Sequence, residues 1–278
     1  MTDGGPMGRD LFRLDGRVVV VTGGLGQLGT EFTRALREAG ARVAVLDVAV
    51  TEDMAAGRSG PSAQDPDVML VHCDITARSS VHAALEHVVA RWGPPHGLVN
   101  NAALDAPPNA PPEENGPFET FPERSWDRVM EVNAKGAFLL CQAFGGAMAR
   151  AGRGSVINVS SIYGVVSPDQ SLYEYRRQAG EIFYKPVAYS ASKSALLNLT
   201  RYLATYWAPC GVRVNTMVLG GVFNDQDPRF LEAYHRRVPL GRMARADEYC
   251  GGVIFLLSDA SSYMTGAELV MDGGWTAW

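Results

Sequence analysis

Short apolar runs alternate with segments of helical periodicity along almost the whole chain. Strands are predicted at Arg17–Val21, Arg42–Leu46, Val68–His72, Gly97–Val99, Ser155–Val159, Val212–Val218 and Glu268–Met271. Helices are predicted at Leu28–Ala39, Arg78–Trp92, Trp126–Arg150, Val187–Trp207 and Ala246–Leu257. Strands that alternate with helices imply βαβ units with right-handed crossovers. The pattern therefore predicts an α/β fold, a doubly wound parallel sheet of about seven strands with helices on both faces.

Polar segments interrupt this rhythm and divide the chain. We expect residues 1–13 to be a flexible N-terminal segment and residues 14–278 to form one domain. Insertions are predicted at 105–122, 165–186 and 221–238. Long loops inside a compact domain are usually functional or disordered, and ligands bind at the carboxyl edge of open α/β sheets. These insertions are therefore expected on the substrate side of the domain.

Composition restricts the classes of function. The chain has 46% hydrophobic and 20% charged residues, a net charge of -5 and a pI near 5.6, so it shows no electrostatic footprint for nucleic acid. No apolar stretch reaches the ~18 residues of a membrane span. Four cysteines are too far apart for a ligand motif, which predicts a reducing, cytoplasmic location and no metal site. They are Cys73, Cys141, Cys210 and Cys250.

A glycine-rich turn joins the first strand to the first helix. Gly24, Gly26 and Gly29 match Gly-x-Gly-x-x-Gly between a strand and a helix. Such a turn presents backbone N–H groups and the positive end of the helix to a pyrophosphate. The turn therefore predicts a dinucleotide site.

Two acidic residues close the next two strands. Asp47 lies 18 residues after Gly29, where a carboxylate accepts hydrogen bonds from the adenosine ribose and repels a 2′-phosphate. This position favours NAD(H) over NADP(H). Asp74 either accepts a hydrogen bond from the adenine amino group or caps the following helix. Asn100–Ala103 ends the fourth strand, where small residues let the backbone approach a ligand.

A Ser, a Tyr and a Lys supply candidate chemistry. Tyr189 and Lys193 are four residues apart and share one face of a helix, and Ser161 follows an apolar strand. We expect the Lys charge to lower the pKa of the phenol, so that Tyr189 transfers a proton to or from a carbonyl or alcohol oxygen. Ser161 is expected to donate a second hydrogen bond to that oxygen. Only three residues of the chain are Lys: Lys135, Lys185 and Lys193.

Together these motifs resemble the classical short-chain dehydrogenase/reductase family, whose domain is of the Rossmann type. The matching stretches are Thr22–Gly29, Asn100–Ala103, Val132–Gly136, Ser160–Ser161, Tyr189–Lys193, Val214–Asn215, Met264–Gly266 and Asp272–Gly274. The resemblance implies an NAD(H)-dependent oxidoreductase with a catalytic tetrad of Asn133, Ser161, Tyr189 and Lys193. It implies a cofactor site formed by Gly23, Gly26, Gln27, Leu28, Asp47, Asp74, Ile75, Asn101, Ala102, Tyr189, Lys193, Gly220 and Val222. The interval of 28 residues from Ser161 to Tyr189 is about twice that usual in the family and contains the insertion at 165–186.

Within that family the chain is most similar to the flagellin modification protein A group, which acts in pathways of sialic-acid-like sugars. The carrying stretches are Ser160–Val166, Thr200–Trp207, Gly220–Val222, Pro239–Met243 and Met271–Trp275. This similarity implies a polar substrate such as a sugar, a polyol, a nucleotide sugar or a sugar acid. The alternatives are a reductase of acyl-carrier or lipid ketones and a non-catalytic NAD-binding sensor or scaffold.

Residues near the expected mouth of the site are the substrate candidates. They are Asp105, Tyr163, Tyr173, Arg176, Arg177 and Gly221. Arg176 and Arg177, like the basic run at 235–237, either clamp an anionic group or are solvated surface charge. Asp105 either accepts from a sugar hydroxyl or forms a turn. Trp275 and Trp278 are expected to be buried either in an interface between subunits or within the same subunit. The resemblance implies a homotetramer, with a dimer possible, and the charge and hydropathy above predict no nucleic-acid or membrane partner.

Overall fold

All seven strands lie in one parallel sheet in the computed structural model, which describes residues 9–58, 65–105 and 111–278. The strands are β1 Val18–Thr22, β2 Arg42–Asp47, β3 Val68–His72, β4 Gly97–Asn100, β5 Gly154–Ser161, β6 Val212–Leu219 and β7 Glu268–Met271. Their order is β3-β2-β1-β4-β5-β6-β7. The order reverses between β1 and β4, which is where ligands bind in sheets of this kind. The predicted fold class is confirmed.

Helices cover both faces of the sheet. They are α1 Gln27–Glu38, α2 Glu52–Ala55, α3 Arg78–Trp92, α4 Glu123–Met130, α5 Ala137–Leu140, α6 Gly146–Arg150, α7 Ile162–Val165, α8 Glu174–Gln178, α9 Val187–Trp207, α10 Pro228–His235 and α11 Cys250–Leu257. Short 3₁₀ turns occupy Arg9–Phe12, Pro112–Asn115, Phe118–Thr120, Gln170–Tyr173, Ala208–Cys210, Ala246–Tyr249 and Asp259–Ser261.

Side chains from both faces of the sheet are buried, which explains why the strands are apolar almost without interruption. On β1, Val20 lies in one core cluster with Phe144, while Val21 lies in a second cluster with Phe32. A third cluster lies beyond the carboxyl ends of β5 and β6 and contains Tyr163. The first two clusters hold the sheet and its helices together, and the third supports the predicted insertions.

The helix predicted at Trp126–Arg150 is not continuous. It begins earlier, at Glu123, and two π-helical stretches, Glu131–Gly136 and Cys141–Gly145, separate α4, α5 and α6. Hydrophobic periodicity cannot distinguish a π-helical turn from an α-helical one over so few residues, because both bury the same face. The first π-helical stretch contains Asn133.

The segments predicted as flexible or inserted carry regular structure. Within the predicted flexible segment, Arg9–Phe12 forms a 3₁₀ turn, and the ring of Phe12 packs 6.5 Å from that of Phe255. Residues 1–8 and 106–110 lie outside the described part of the chain. Each of the three insertions contains at least one helical turn. In the described ranges, no helix combines the length and the apolar character needed to cross a bilayer.

Candidate active site

The glycine-rich turn lies against the end of β4, at the point where the strand order reverses. Asn101 donates from its amide to the carbonyl oxygens of Thr22 (3.0 Å) and Gly23 (3.2 Å). The hydroxyl of Thr22 in return accepts from the backbone N–H groups of Asn101 and Ala102, both at 3.1 Å. These bonds fix the turn and place three of the predicted cofactor residues side by side.

Two glycines of the turn cannot be replaced without moving the backbone. Gly23 has a φ of +60°, and a Cβ there would lie 2.8 Å from the Cα of Ala102. A Cβ on Gly29 would lie 2.2 Å from the Gly23 carbonyl oxygen. The third-position glycine therefore allows α1 to pack tightly on the turn, as the motif predicts.

The N-terminus of α1 fits a bound pyrophosphate. Its N-cap is Gly26, no side chain caps it, and its first turn holds no acidic residue. The first N–H groups of a helix need an external acceptor when no side chain serves them. Leu28 packs against the second core cluster, so this residue anchors the helix rather than lining the open end.

Asp47 faces the turn from the end of β2. One carboxylate oxygen accepts from the backbone N–H of Leu25 at 3.1 Å, and the other accepts from Ala49 at 3.0 Å. The carboxylate is therefore held in a fixed orientation and remains partly exposed. Its position suits recognition of the adenosine ribose.

Asp74 does not cap the following helix, so that alternative is wrong. The N-cap of α3 is Ala77, and Asp74 instead accepts from the backbone N–H (2.9 Å) and the hydroxyl (2.7 Å) of Thr76. These bonds hold the pKa of Asp74 below its ordinary value. Ile75 packs on Gly136, where a Cβ would lie 2.7 Å from the Ile75 side chain. This contact joins the adenine side of the cleft to the helix that carries Asn133.

The remaining predicted cofactor residues lie on the other side of the cleft. Gln27 donates from its amide to the carbonyl oxygen of Phe223 at 2.8 Å, so its side chain links the turn to the insertion at 221–238. Gly220 pairs with Met271 through a backbone hydrogen bond of 2.9 Å, and Val222 pairs with Ala244. The turn after β6 is therefore fixed to β7 and to the chain near Ala244.

Ser161, Tyr189 and Lys193 meet at the carboxyl end of β5. The Ser161 hydroxyl interacts with the phenol of Tyr189 and accepts from the Tyr163 N–H at 3.2 Å. The Nζ atom of Lys193 lies 5.8 Å from the centre of the Tyr189 ring and donates to the carbonyl oxygen of Val159 at 2.8 Å. Ser160, the neighbouring serine, is turned away and donates to the Lys193 carbonyl oxygen at 2.9 Å. The geometry thus distinguishes the two adjacent serines.

The expected direction of the Tyr189 pKa is wrong for this structure. Burial raises the pKa of the phenol, the carboxylate of Asp105 raises it further, and the interaction with the Ser161 hydroxyl opposes the increase. Burial also lowers the pKa of Lys193 to about 8, against a smaller opposing effect of Asp105. Lys193 is thus itself driven toward its neutral form, and helical spacing alone could not reveal this desolvation.

The side-chain amide of Asn133 forms hydrogen bonds with two neighbouring segments of the chain. Its amide oxygen accepts from the Leu104 N–H at 2.7 Å, and its amide nitrogen donates to the Leu104 carbonyl (2.9 Å) and to the Ser192 hydroxyl (2.9 Å). Ser192 in turn donates to the Tyr189 carbonyl oxygen at 2.8 Å. Asn133 thereby connects the end of β4 to α9, and its π-helical stretch is a device common at functional sites.

Arg176 and Arg177, two of the predicted substrate residues, do not form a clamp for an anionic group of a substrate. Arg176 donates to Glu181 at 2.7 Å, and its guanidinium lies 4.0 Å from the centre of the Phe183 ring. Arg177 donates to Glu174 and to two backbone carbonyls of the insertion. Their charges are paired locally, so both arginines brace the insertion.

The other predicted substrate residues differ in how deeply they are buried around the site. Tyr163 and Tyr173 are buried in the third cluster, and burial raises the pKa of each. Gly221 donates its N–H to the Tyr234 hydroxyl at 2.7 Å, and a Cβ there would meet Met243 at 2.4 Å. These residues shape the wall, whereas Asp105 is half exposed at the mouth.

Lys185 is a site residue that the motifs did not identify. Its Nζ atom donates to Asp105 and lies 4.9 Å from the centre of the Tyr189 ring. The scarcity of Lys in this chain was the only available signal, because no motif of the resemblance includes the insertion.

Trp275 is buried within its own subunit, so the interface alternative is wrong for this residue. Its ring is 3% exposed, stacks 4.6 Å from Tyr234 and lies under the Arg237 guanidinium, all within the same chain. Trp278 remains 76% exposed. The third cluster contains Trp275 but not Trp278, and the linear sequence could not show which of the two would be buried there.

Comparison with known proteins places this arrangement among dehydrogenases. A family described as Enoyl-(Acyl carrier protein) reductase matches residues 26–276. The chain is 34% identical to D-threitol dehydrogenase of Mycolicibacterium smegmatis over 273 residues, which cover 95% of each protein. A short chain dehydrogenase from Leptospira borgpetersenii with bound NAD+ superposes with a TM-score of 0.83 at 30% identity, over 99% of each chain. A gluconate 5-dehydrogenase from Burkholderia cenocepacia, in complex with NADP and tartrate, gives 0.82 at 29%, over 97% of this chain and 98% of that one.

Proposed function

This chain belongs to the classical short-chain dehydrogenase/reductase family, and we propose that it transfers a hydride between NAD(H) and a secondary alcohol or ketone of a polar, sugar- or polyol-like substrate. The observation that carries the proposal is the meeting of Ser161, Tyr189 and Lys193 at the edge of the sheet that also holds the uncapped turn before α1. A nicotinamide cofactor supplies the hydride chemistry when bound.

The side chains of the site carry out proton transfer, binding of the reacting oxygen and positioning. The hydroxyl of Tyr189 gives or takes the proton of the reacting oxygen, and the Ser161 hydroxyl holds that oxygen by a second hydrogen bond. Lys193 lies beside the phenol and favours its anionic form whenever the ammonium is charged. Asn133 acts through Ser192 and fixes the first turns of α9, which carry Tyr189 and Lys193.

The choice of NAD(H) is supported by Asp47. Its fixed carboxylate can accept from a ribose hydroxyl and would repel a 2′-phosphate. The two solved relatives bind different cofactors, NAD+ in one and NADP in the other, so the fold itself accommodates both. Asp47 is therefore the residue on which this part of the proposal depends.

The substrate class is supported by the polar groups at the mouth and by a relative named D-threitol dehydrogenase. Asp105 and Lys185 stand beside Tyr189 and can hydrogen-bond a polar substrate, while other residues of the adjoining cavity, among them Phe118 and Val166, are apolar. The narrower similarity to the flagellin modification protein A group stays a prediction. A cytoplasmic location is likewise proposed from the cysteine usage.

A proton-transfer variant tests the proposed reaction. Tyr189→Phe removes the transferable proton and should reduce kcat by ~10²–10⁴-fold, the range that general acid–base catalysis contributes. NADH binding, followed by nicotinamide fluorescence, should change little. Tyr263→Phe is the matched control, because Tyr263 is a fully exposed tyrosine away from the proposed site.

The screen should include alditols, sugar acids, nucleotide sugars and an acyl ketone. Turnover of Tyr189→Phe close to that of the wild type would refute the role of the phenol. NADH binding without turnover of any compound by the wild type would favour a sensor instead. Preference for the acyl ketone would favour the acyl-carrier alternative.

We also propose that the protein is a homotetramer. The outer face of α9 exposes Tyr202 and Tyr206, whose rings stack at 6.0 Å and are each 63% exposed. An exposed aromatic pair on a long helix is suited to burial against another copy. Sedimentation equilibrium measures the mass directly, and a monomer would contradict the proposal.

A further inference from the structure

The insertion at 165–186 delivers one charged side chain to the reacting centre. Lys185 is the residue concerned: its side chain is 10% exposed, and its Nζ lies 4.9 Å from the centre of the Tyr189 ring. The same Nζ donates to Asp105, the first residue of the insertion at 105–122. An ion pair that joins two insertions therefore stands beside the phenol.

The insertion is built so that Lys185 is held firmly. The side-chain amide of Gln170 accepts from the Lys185 N–H at 2.9 Å and donates to the Lys185 carbonyl oxygen at 3.4 Å. Arg177 in turn donates to the Gln170 carbonyl oxygen at 2.9 Å. Beside Lys185, the Tyr184 N–H donates to the Asn115 carbonyl oxygen at 2.8 Å, which connects this end of the insertion to the segment at 111–122.

The ion pair lies close to Tyr189, and Lys185 also borders a cavity. The carboxylate of Asp105 acts electrostatically on the phenols of Tyr163, Tyr173 and Tyr189, which all lie within range of its charge. Lys185 also lines a cavity of about 680 Å³ together with Tyr163 and Ser190. The hydroxyl of Ser190 is buried and has no hydrogen-bond partner among the described residues. The cavity lies on the Lys185 side of the pair and its walls also include apolar side chains such as Phe118 and Val166, so a ligand there has room and can contact Lys185.

The chemistry of the pair indicates what it recognises. An ammonium only donates hydrogen bonds and a carboxylate only accepts them. Two adjacent hydroxyl groups match this arrangement, because one can donate to Asp105 while its neighbour accepts from Lys185. The pair has no net charge, so an anionic group placed there would gain from Lys185 and lose to Asp105. Arg176 and Arg177, the nearest other cations of the insertion, are already paired with its own glutamates.

We propose that Lys185 and Asp105 form a subsite for two adjacent hydroxyl groups, so that the enzyme selects neutral polyols or sugars over sugar acids. The subsite rests on the proposed function, because it positions the same substrate against Tyr189. It deepens that function by assigning a recognition role to the insertion that distinguishes this chain from the spacing usual in its family.

Two matched pairs of probes test the subsite with NAD+ and the whole protein. The pair 2-butanol and 2,3-butanediol differs by the adjacent hydroxyl, and the pair D-glucitol and D-gluconate differs by a carboxylate. The wild type should prefer the diol by at least ~10-fold in kcat/KM and glucitol over gluconate by a similar factor, since a buried site made for a hydroxyl rejects the compound that lacks it.

Variants of the pair should change these ratios. Lys185→Met should lower the preference for the diol by ~10-fold or more, mainly through KM, and Lys185→Arg should retain part of it because a cationic donor remains. Asp105→Asn should shift the second ratio toward gluconate by removing the repelling charge. Lys135→Met is the control, because Lys135 is an exposed lysine that pairs with Glu131 within its own helical segment.

The possible outcomes separate the subsite from the reaction. An unchanged preference for the diol in Lys185→Met, with melting temperatures close to the wild type, overturns the subsite while the oxidoreductase function stands. Preference of the wild type for gluconate over glucitol overturns it in the same way. A wild type that oxidises none of the four probes overturns the subsite, and turnover in the wider screen then decides the proposed function separately.

Discussion

We propose that Asp47 determines the preference for NAD(H), and Asp47→Asn is the variant that removes its charge. The carboxylate accepts from Leu25 on one oxygen and from Ala49 on the other. Asparagine has one acceptor oxygen and a donating NH2 group, so it can keep only one of these two backbone bonds. With the amide oxygen toward Leu25, the variant keeps the bond to the glycine-rich turn and loses the negative charge and the bond to Ala49.

The expected magnitude follows from two effects. Hydrogen bonds to a charged group contribute about 1.5–3 kcal/mol, so losing one to the ribose should lower kcat/KM for NAD+ by ~10–100-fold. Two unit charges ~4 Å apart interact by about 1 kcal/mol in water and about 4 kcal/mol near a protein surface. Because Asp47 is partly exposed, we expect relief of about 2 kcal/mol for NADP+, a gain of ~30-fold.

The assay compares both cofactors with one saturating alcohol. The ratio of kcat/KM for NAD+ to that for NADP+ should fall by at least ~100-fold in Asp47→Asn. Asp53→Asn is the matched control, since Asp53 pairs with Arg58 at the surface and should leave the ratio unchanged. A ratio within threefold of the wild type, or a wild type that prefers NADP+, would refute the role assigned to Asp47.

Two further predictions concern stability. Asn158→Ala should cost about 3 kcal/mol in urea unfolding, because Asn158 is fully buried and bonds to both Asn100 and Thr200 at 2.8 Å; a loss below about 1 kcal/mol would contradict this. Burial lowers the Lys193 pKa from 10.5 to about 8, so the unfolded chain binds that proton more tightly and the wild type loses stability as pH falls from 10.5 to 8. Lys193→Met should therefore be more stable than the wild type by up to about 3 kcal/mol below pH 8, with the gain shrinking toward pH 10.5. A difference that does not change with pH would count against this prediction.

The elements that the sequence predicted well are those whose signal is local. The helices Arg78–Trp92 and Val187–Trp207 have the predicted bounds, and β3 and β7 do as well. Each of these is long or flanked by clear turn residues, so periodicity within the element is sufficient. The sequence did not predict the π-helical stretches, because these stretches alter the backbone register without altering the apolar face.

Within the site, the sequence alone determined the chemical groups that carry proton transfer and cofactor recognition. Glycines in a turn, a carboxylate at a strand end and a Tyr and Lys on one helical face are short-range patterns, and a parallel sheet brings all strand ends to one edge. Their geometry needed little information beyond the order of the strands.

Tertiary structure decided which charges act on those groups. The pairing of Asp105 with Lys185 joins residues 80 positions apart, and the same fold pairs the insertion's arginines internally. It also reversed the expected direction of the Tyr189 pKa. The physical reason is that desolvation and charge pairing depend on what surrounds a side chain in three dimensions, whereas sequence patterns report only its neighbours along the chain.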